Sequence, residues 1–246
     1  MLMERYQDIT ELLEAVESNI KNLKKSYDKA KKDEEQKEVL RPIVKSSLEH
    51  LRSILEYSVQ DIWFSYNSNS KKRLYFPYGI RESLFKEQID KNLPELAKRR
   101  PNLYALIESL QPHKCGDNWL IELCDQTNFN KHNKLSSQIR KNSERSTTII
   151  GGGAIRIDGN GDGGTVTFID CNVNGIQVGH GKPAVISDDM SAKKIQEIIG
   201  APISVTKEFE WVEFRFENST IDTLMLIKKA YTEISKYISL LNTGLS

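Results

Sequence analysis

Thr147–Ile169, TTIIGGGAIRIDGNGDGGTVTFI, is where the chain changes its period. Ahead of it, apolar residues recur every three or four positions, the spacing of a helix face; within it they recur every second position, the spacing of a strand. Ala154-Ile155-Arg156-Ile157 alternates, and Thr165–Ile169 alternates again with Val166 and Phe168 on one face. The switch predicts an α+β protein. A helical half, residues 1–145, precedes a small β-rich half with a long C-terminal helix, residues 146–246.

Upstream, Tyr6, Ile9, Leu13, Val16, Ile20, Leu23 and Tyr27 form a coiled-coil-like seam that lapses in the charged run Lys31–Glu38. A second helix follows Arg41-Pro42, with Val44, Leu48, Leu51, Leu55, Val59 and Ile62 on one side. Pro42 suits a first turn because the amide it lacks has no intrahelical partner there. The two helices read as an antiparallel hairpin, and the seam closes either on its own partner or on a second chain. Tyr75-Phe76-Pro77-Tyr78-Gly79 reads as an extended segment and turn. Helical spacing resumes at Ser83 and stops before Pro101, since a residue ahead of proline is pushed out of helical geometry. Helix is expected to about Asn142, with Ser136–Ser146 as a polar, basic linker.

Downstream, Asn174-Gly175 signals a two-residue hairpin, because both positions of such a turn take positive φ. A short helix is expected over Asp188–Ile199, capped by Ser187 and ended by Gly200. Val212, Phe214 and Phe216 alternate with charged residues as a half-buried strand. Ser219-Thr220-Ile221-Asp222 offers a capping box for the last helix, whose stripe runs through Leu224, Ile227, Tyr231, Ile234, Ile238 and Leu241. That helix packs either on the sheet or back on the first half.

With 246 residues, 38% of them hydrophobic and 28% charged, the composition is that of an ordinary soluble domain. A formal charge of +1 gives no global pull toward nucleic acid, so any such binding must come from local patches. No apolar run approaches the roughly 20 residues that cross a bilayer, and the acidic start does not read as a signal peptide. The expected setting is cytoplasmic, with no membrane. Cys115, Cys124 and Cys171 are odd in number and lack a CxxC pair, which supports neither a disulfide framework nor a zinc site.

Chemistry concentrates in LYALIESLQPHKCGDNWLIELCDQTNFNKHNKL, Leu103–Leu135. A helix breaks at Gln111-Pro112, a Cys-Gly-Asp loop follows, and a second helix opens near Trp119 and runs into Asn128–Lys134. His132 can move protons near neutral pH and is the candidate catalytic residue. Asn128, Lys131, His132, Lys134 and Arg140, with Lys141 and Arg145 beyond them, are the candidate contacts to an anionic backbone such as RNA. The competing structural role is a polar helix end, where lysines complement the dipole and asparagines satisfy open backbone groups.

Trp119, Leu120, Leu123, Asn128, Lys131, His132 and Leu135 carry a resemblance. The segment from Lys45 to Leu135 resembles a group of uncharacterised bacterial proteins with a tryptophan-led helix and an Asn-x-x-Lys-His motif, distant relatives of HEPN domains. A weaker echo lies in EFRFENSTIDTLMLIKKAY. The resemblance implies a helical domain, a homodimer, and a place in bacterial defence or toxin–antitoxin systems, with a protein partner or RNA. Many HEPN domains are metal-independent ribonucleases using an Arg-x4–6-His pair. Here Asp125-Gln126-Thr127 stand where that arginine belongs, and an amide such as Asn128 cannot replace a guanidinium charge. The expectation is therefore a non-catalytic binding, regulatory or sensor protein. The alternative is a nuclease using His132, completed by Arg99 or Arg100 in three dimensions.

The remaining motifs have plainer explanations. Asp158-Gly159-Asn160-Gly161-Asp162-Gly163 matches half a calcium loop, but Ile169 occupies the position of the bidentate acid, and turn chemistry explains the same letters. Gly151-Gly152-Gly153 lacks a phosphate-loop signature and reads as a flexible entrance or bulge for a strand. His180 is a lone loop histidine. Lys71-Lys72-Arg73 beside Trp63, Phe64 and Tyr66 offers a charge-and-stacking surface for a single strand, or simply core aromatics next to a basic loop. No cofactor and no metal are expected.

Overall fold

The computed structural model describes residues 3–67, 73–132, 134–200 and 202–245, without the side chains of His132 and His180. Its helices are α1 (Tyr6–Ala30), α2 (Arg41–Phe64), α3 (Glu82–Asn92), α4 (Leu96–Arg99), α5 (Pro101–Glu108), α6 (Pro112–Cys115), α7 (Trp119–His132), α8 (Ala192–Ile199) and α9 (Thr223–Leu245). Its strands are β1 (Gln138–Asn142), β2 (Ser146–Ile150), β3 (Ile155–Gly159), β4 (Thr165–Phe168), β5 (Asn172–Val173), β6 (Ile176–Gln177), β7 (Ala184–Ser187), β8 (Val205–Phe209) and β9 (Val212–Phe216). Helices at the start, a β-rich middle and a long final helix make the α+β class expected from the period switch. Among the described residues no helix is long and apolar enough to cross a membrane.

Two compact units interleave along the chain. One comprises Met1–Leu23, Leu40–Ser137 and Thr220–Ser246; the other comprises Lys24–Val39 and Gln138–Ser219. This differs from the expected division at 145/146 in a specific way: the terminal helix belongs to the helical unit. Leu226, Ile227, Ala230, Ile234, Tyr237 and Ile238 of α9 are buried, and α9 packs on α2, α5 and α7. Its cap is Asp222, whose Oδ1 accepts the Met225 amide at 2.9 Å. That is later than the expected Ser219, and a carboxylate there also complements the helix dipole.

Within the helical unit, Leu48, Leu51, Leu55, Val59 and Ile62 form the buried face of α2, with proline in the first turn. The α1 seam closes within the chain: Ile9, Val16, Ile20 and Leu23 are buried, and only Tyr6 is well exposed. Arg5 pairs with Asp61 at 2.7 Å and Asn19 bonds Ser47 at 3.1 Å, which fixes α1 beside α2.

Between α2 and α3 the chain runs extended through Arg73–Gly79 with no strand beside it among the described residues, so its backbone amides need side-chain acceptors. Asn92 accepts from Tyr75 at 3.2 Å, Glu56 from Phe76 at 2.8 Å, and Gln111 from Gly79 at 3.1 Å. The buried Gln111 amide also donates to the Pro77 carbonyl at 3.2 Å. At Gly79 a Cβ would stand 2.5 Å from the Phe85 nitrogen, so only glycine fits that approach.

In the second unit β2 is central, antiparallel to β3 and to β8. β1 pairs with β9, β4 with β7, and β5 with β6, all antiparallel. Asn174 and Gly175 have φ of 53° and 83°, as the hairpin requires. Ile150, Phe168, Val173, Ala184, Ile186, Ile195 and Ile199 form the core under α8. Three expectations are corrected. Gln138–Asn142 is a strand, not helix and linker, because Val212–Phe216 needs a partner for its ladder. The short helix starts at Ala192, with Ser191 rather than Ser187 accepting the Lys194 amide at 3.2 Å; Ser187 is paired in β7. Gly151–Gly153 is a tight turn joining the hydrogen-bonded strands β2 and β3, not a flexible entrance.

Candidate functional site

The Asn128–Lys131 turn of α7 faces α2 and the extended segment across a groove of about 860 Å³. Glu49, His50, Arg52, Glu56 and Tyr57 line it from α2, Arg73 and Tyr75 from the segment, and Thr127, Asn128 and Lys131 from α7. All belong to the helical unit. Asn128, Lys131, Arg73 and Tyr75 are exposed, so the rim is basic and aromatic.

The floor carries a buried ion pair. Arg52 and Glu56, one turn apart on α2, meet at 2.6 Å with side chains only 17% and 20% exposed. Glu56 also accepts the Phe76 amide. The Arg52 guanidinium lies over the Tyr78 ring, 4.9 Å from its centre, and donates to the Cys124 sulfur. Burial pushes the Cys124 thiol up to about 12 against the pull of Arg52, so it is a neutral, unreactive sulfur at physiological pH. Burial also raises the Glu56 carboxyl above its ordinary value, outweighing Arg52, the Phe76 amide and Lys131, which lower it. Tyr78 is raised too, by burial and by Cys124, and its hydroxyl interacts with Asn128.

Of the expected contacts, Asn128 and Lys131 meet in this groove. Lys134 is exposed beyond the end of α7. The His132 side chain lies outside the described residues. Asn130, in the same run, is structural: it is buried, and its amide donates to Gln126 at 2.7 Å and to Ser136 at 2.9 Å.

Arg140 is engaged within the second unit. Its guanidinium caps the open end of α1, donating to the carbonyls of Ala30 at 2.8 Å, Gln36 at 2.9 Å, and Asp33. Arg99 and Arg100 donate to the carbonyls of Tyr66 and Gly244.

Arg73 takes part, but with other aromatics than expected. Trp63 and Tyr66 pack edge to face at 5.6 Å, and Phe64 sits under Arg5. The rings beside Arg73 are Tyr57 and Tyr75. Lys71 and Lys72 lie outside the described residues. Arg52, Glu56, Tyr57 and Tyr75 were missed. The available signal was a charged pair at Leu48+4 and Leu48+8, on the flank of the apolar stripe where a helix normally places apolar residues.

The glycine-rich loop of the second unit has the opposite polarity to a calcium loop. The amides of Asn160, Gly161 and Gly163 converge on the Asp188 carboxylate at 3.0, 3.0 and 2.9 Å. Lys207 holds the same turn from below, donating to the carbonyls of Asp188 at 2.6 Å and Met190 at 2.8 Å. Among the described residues no group of three or more His, Cys, Asp or Glu side chains is placed to hold a metal.

Comparison with known protein families, curated proteins and solved structures gives no match for this chain.

Proposed function

We propose that the protein acts by binding single-stranded RNA, without cleaving it, in the groove between α2, the extended segment and α7. One observation carries this reading: Lys131 and Arg73 line the same groove as Tyr57 and Tyr75. Cations track a phosphate backbone and exposed rings stack on bases, the combination by which single strands are held without sequence-specific readout. A groove of about 860 Å³ is of the size that encloses a small ligand or a few nucleotides.

Catalysis fits less well. Metal-independent cleavage needs a guanidinium directed at the phosphorane, and while Glu56 is ionised the Arg52 guanidinium is engaged by Glu56, Cys124 and Tyr78. Through the HEPN resemblance the reading extends to an accessory or regulatory component of a bacterial defence or toxin–antitoxin system. A homodimer, also implied by that resemblance, would need a face other than the α1 seam, which is covered within the chain.

The test is titration of the protein into a labelled single-stranded RNA of about ten nucleotides, a length within the range of known single-strand sites. Binding is expected to weaken with salt, and Lys131→Ala and Arg73→Ala each to flatten that salt dependence, with the RNA intact throughout. Metal-free cleavage lost in His132→Ala would replace this reading with the ribonuclease one. Absence of binding at low salt would remove it.

A further inference from the structure

We infer that Arg52 is the anion-receiving group on the groove floor and that Glu56 is its proton-sensitive counterion, so that the groove takes up a proton as it takes up a phosphate. The inference rests on the binding reading above and adds to it a residue and a regulation.

The argument starts from the placement of charge. A buried ion pair costs desolvation at both ions and is commonly no more stabilising than an apolar pair of the same volume. Here it is built at a cavity wall, with both members lining the groove. The guanidinium is pre-oriented: the Tyr78 ring covers one face, and Glu56 and Cys124 fix two of its edges. A planar fork held in this way is suited to bidentate phosphate contact. While Glu56 is ionised, however, the pair is neutral and offers a polyanion little.

Protonating Glu56 leaves one uncompensated positive charge on the floor. Its Phe76 amide bond at 2.8 Å survives with a neutral carbonyl as acceptor. An incoming phosphate then replaces the carboxylate at Arg52, and by linkage the bound anion raises the proton affinity of Glu56 further. The groups facing Glu56 are Arg52 on its own helix, Lys131 and Cys124 on α7, and the Phe76 amide of the segment. Glu49, His50 and Arg73 line the same groove, and Asp125 acts on Tyr78 and Cys124. Burial lifts the Glu56 carboxyl above its ordinary value, in the direction that favours uptake of a proton.

The experiment measures affinity for the ten-nucleotide RNA between about pH 5 and pH 8, a range in which phosphodiesters keep their charge and carboxyls and histidines titrate. Wild type is expected to tighten by up to about tenfold per pH unit of acidification, the limit for uptake of one proton. Glu56→Gln is expected to bind at pH 8 as wild type binds at pH 5, without the slope. Arg52→Lys is expected to lose roughly tenfold, because an ammonium lacks the fork. Removing Arg52 alone would leave a buried unpaired carboxylate, so the double variant Arg52→Met, Glu56→Gln removes the pair together. It is expected to fold by circular dichroism while losing both affinity and slope.

His50, hydrogen-bonded to Ser46 at 3.1 Å, lines the same groove; a slope retained in Glu56→Gln does not come from Glu56 and overturns the inference while leaving RNA binding in place. Inorganic sulfate, followed by the Arg52 Nε–H resonance, separates the two claims. A sulfate shift that grows on acidification and loses its pH dependence in Glu56→Gln, with no RNA bound, keeps the inference and removes the RNA reading. Response to neither probe overturns both.

Discussion

Arg140→Ala separates the two roles open to that residue, and its size can be worked from the geometry. Arg140 reaches the carbonyl of Ala30, at the end of α1, and those of Asp33 and Gln36 in the turn that follows it. Hydrogen bonds with one charged partner contribute about 1.5–3 kcal/mol each when sheltered. This side chain is half-buried, and on its loss water can reach part of the cap, so about 1 kcal/mol per carbonyl is the better figure. The total is about 2–3 kcal/mol, a change of about 30- to 160-fold in the folded-to-unfolded ratio.

Arg140→Lys keeps the charge but offers one ammonium to three diverging acceptors, and should lose about half as much. In urea the midpoint should fall by about 1 M for Arg140→Ala, at a slope of about 2–3 kcal/mol per molar. Hydrogen exchange should speed up locally at the Lys31 and Lys32 amides, which close the end of α1. RNA affinity should not change. An Arg140→Ala variant with an unmoved midpoint and a weakened salt-dependent RNA affinity would refute the cap and return Arg140 to a ligand surface.

Three further outcomes are expected. Gly79→Ala should lower the melting temperature and disturb the groove, since its methyl group would meet the Phe85 nitrogen at 2.5 Å; an unshifted melt would mean that the segment and α3 separate freely. Ile9→Asp and Val16→Asp should each reduce helical content in circular dichroism without changing the mass seen by light scattering, because both residues are buried within the chain; a dissociating dimer with intact helicity would place the seam between chains. The Asp188 carboxyl lies below its ordinary value because three amide bonds, with Asp162, outweigh its partial desolvation. Its stabilisation is therefore present above the unfolded carboxyl range and lost as pH falls through the depressed folded value. Wild type should lose melting temperature on acidification below about pH 4, and Asp188→Asn should start lower and lose less over that interval; identical acid limbs for the two would remove Asp188 from the account.

Fold class was legible because it depends on period. The change at Ser146 needs no knowledge of partners, and neither do the hairpin at Asn174-Gly175 or the helix breaks before Pro101 and Pro112. What failed were features set by distant partners. Gln138–Asn142 has no strong strand spacing of its own and becomes a strand because Val212–Phe216 lies beside it. Ser187 and Ser191 are equally good caps in isolation; the β4–β7 ladder takes the first and leaves the second. The turn residues of Asp158–Gly163 are legible as a loop, but the acid that organises it, Asp188, lies 28 residues beyond Asn160.

The candidate site divides along the same line. Asn128 and Lys131 were visible because they stand in a polar run at a helix end, where any reader of the sequence looks for exposed chemistry. Arg52 and Glu56 sit inside an apolar helix, where an ion pair one turn apart is usually a surface pair of small consequence. What moves this pair indoors is the extended Arg73–Gly79 segment. Among the described residues no strand satisfies its amides, and they take acceptors from side chains on α2, on α3 and in the turn before α6; Glu56 is one of them. The same contact covers the pair, lays the Tyr78 ring on Arg52, and brings Tyr75 and Arg73 to the rim. A single unpaired stretch of backbone thus determines which charges are buried and which aromatics are exposed. Its seven letters, Arg73-Leu74-Tyr75-Phe76-Pro77-Tyr78-Gly79, disclose neither until Glu56, Asn92 and Gln111 are set against them.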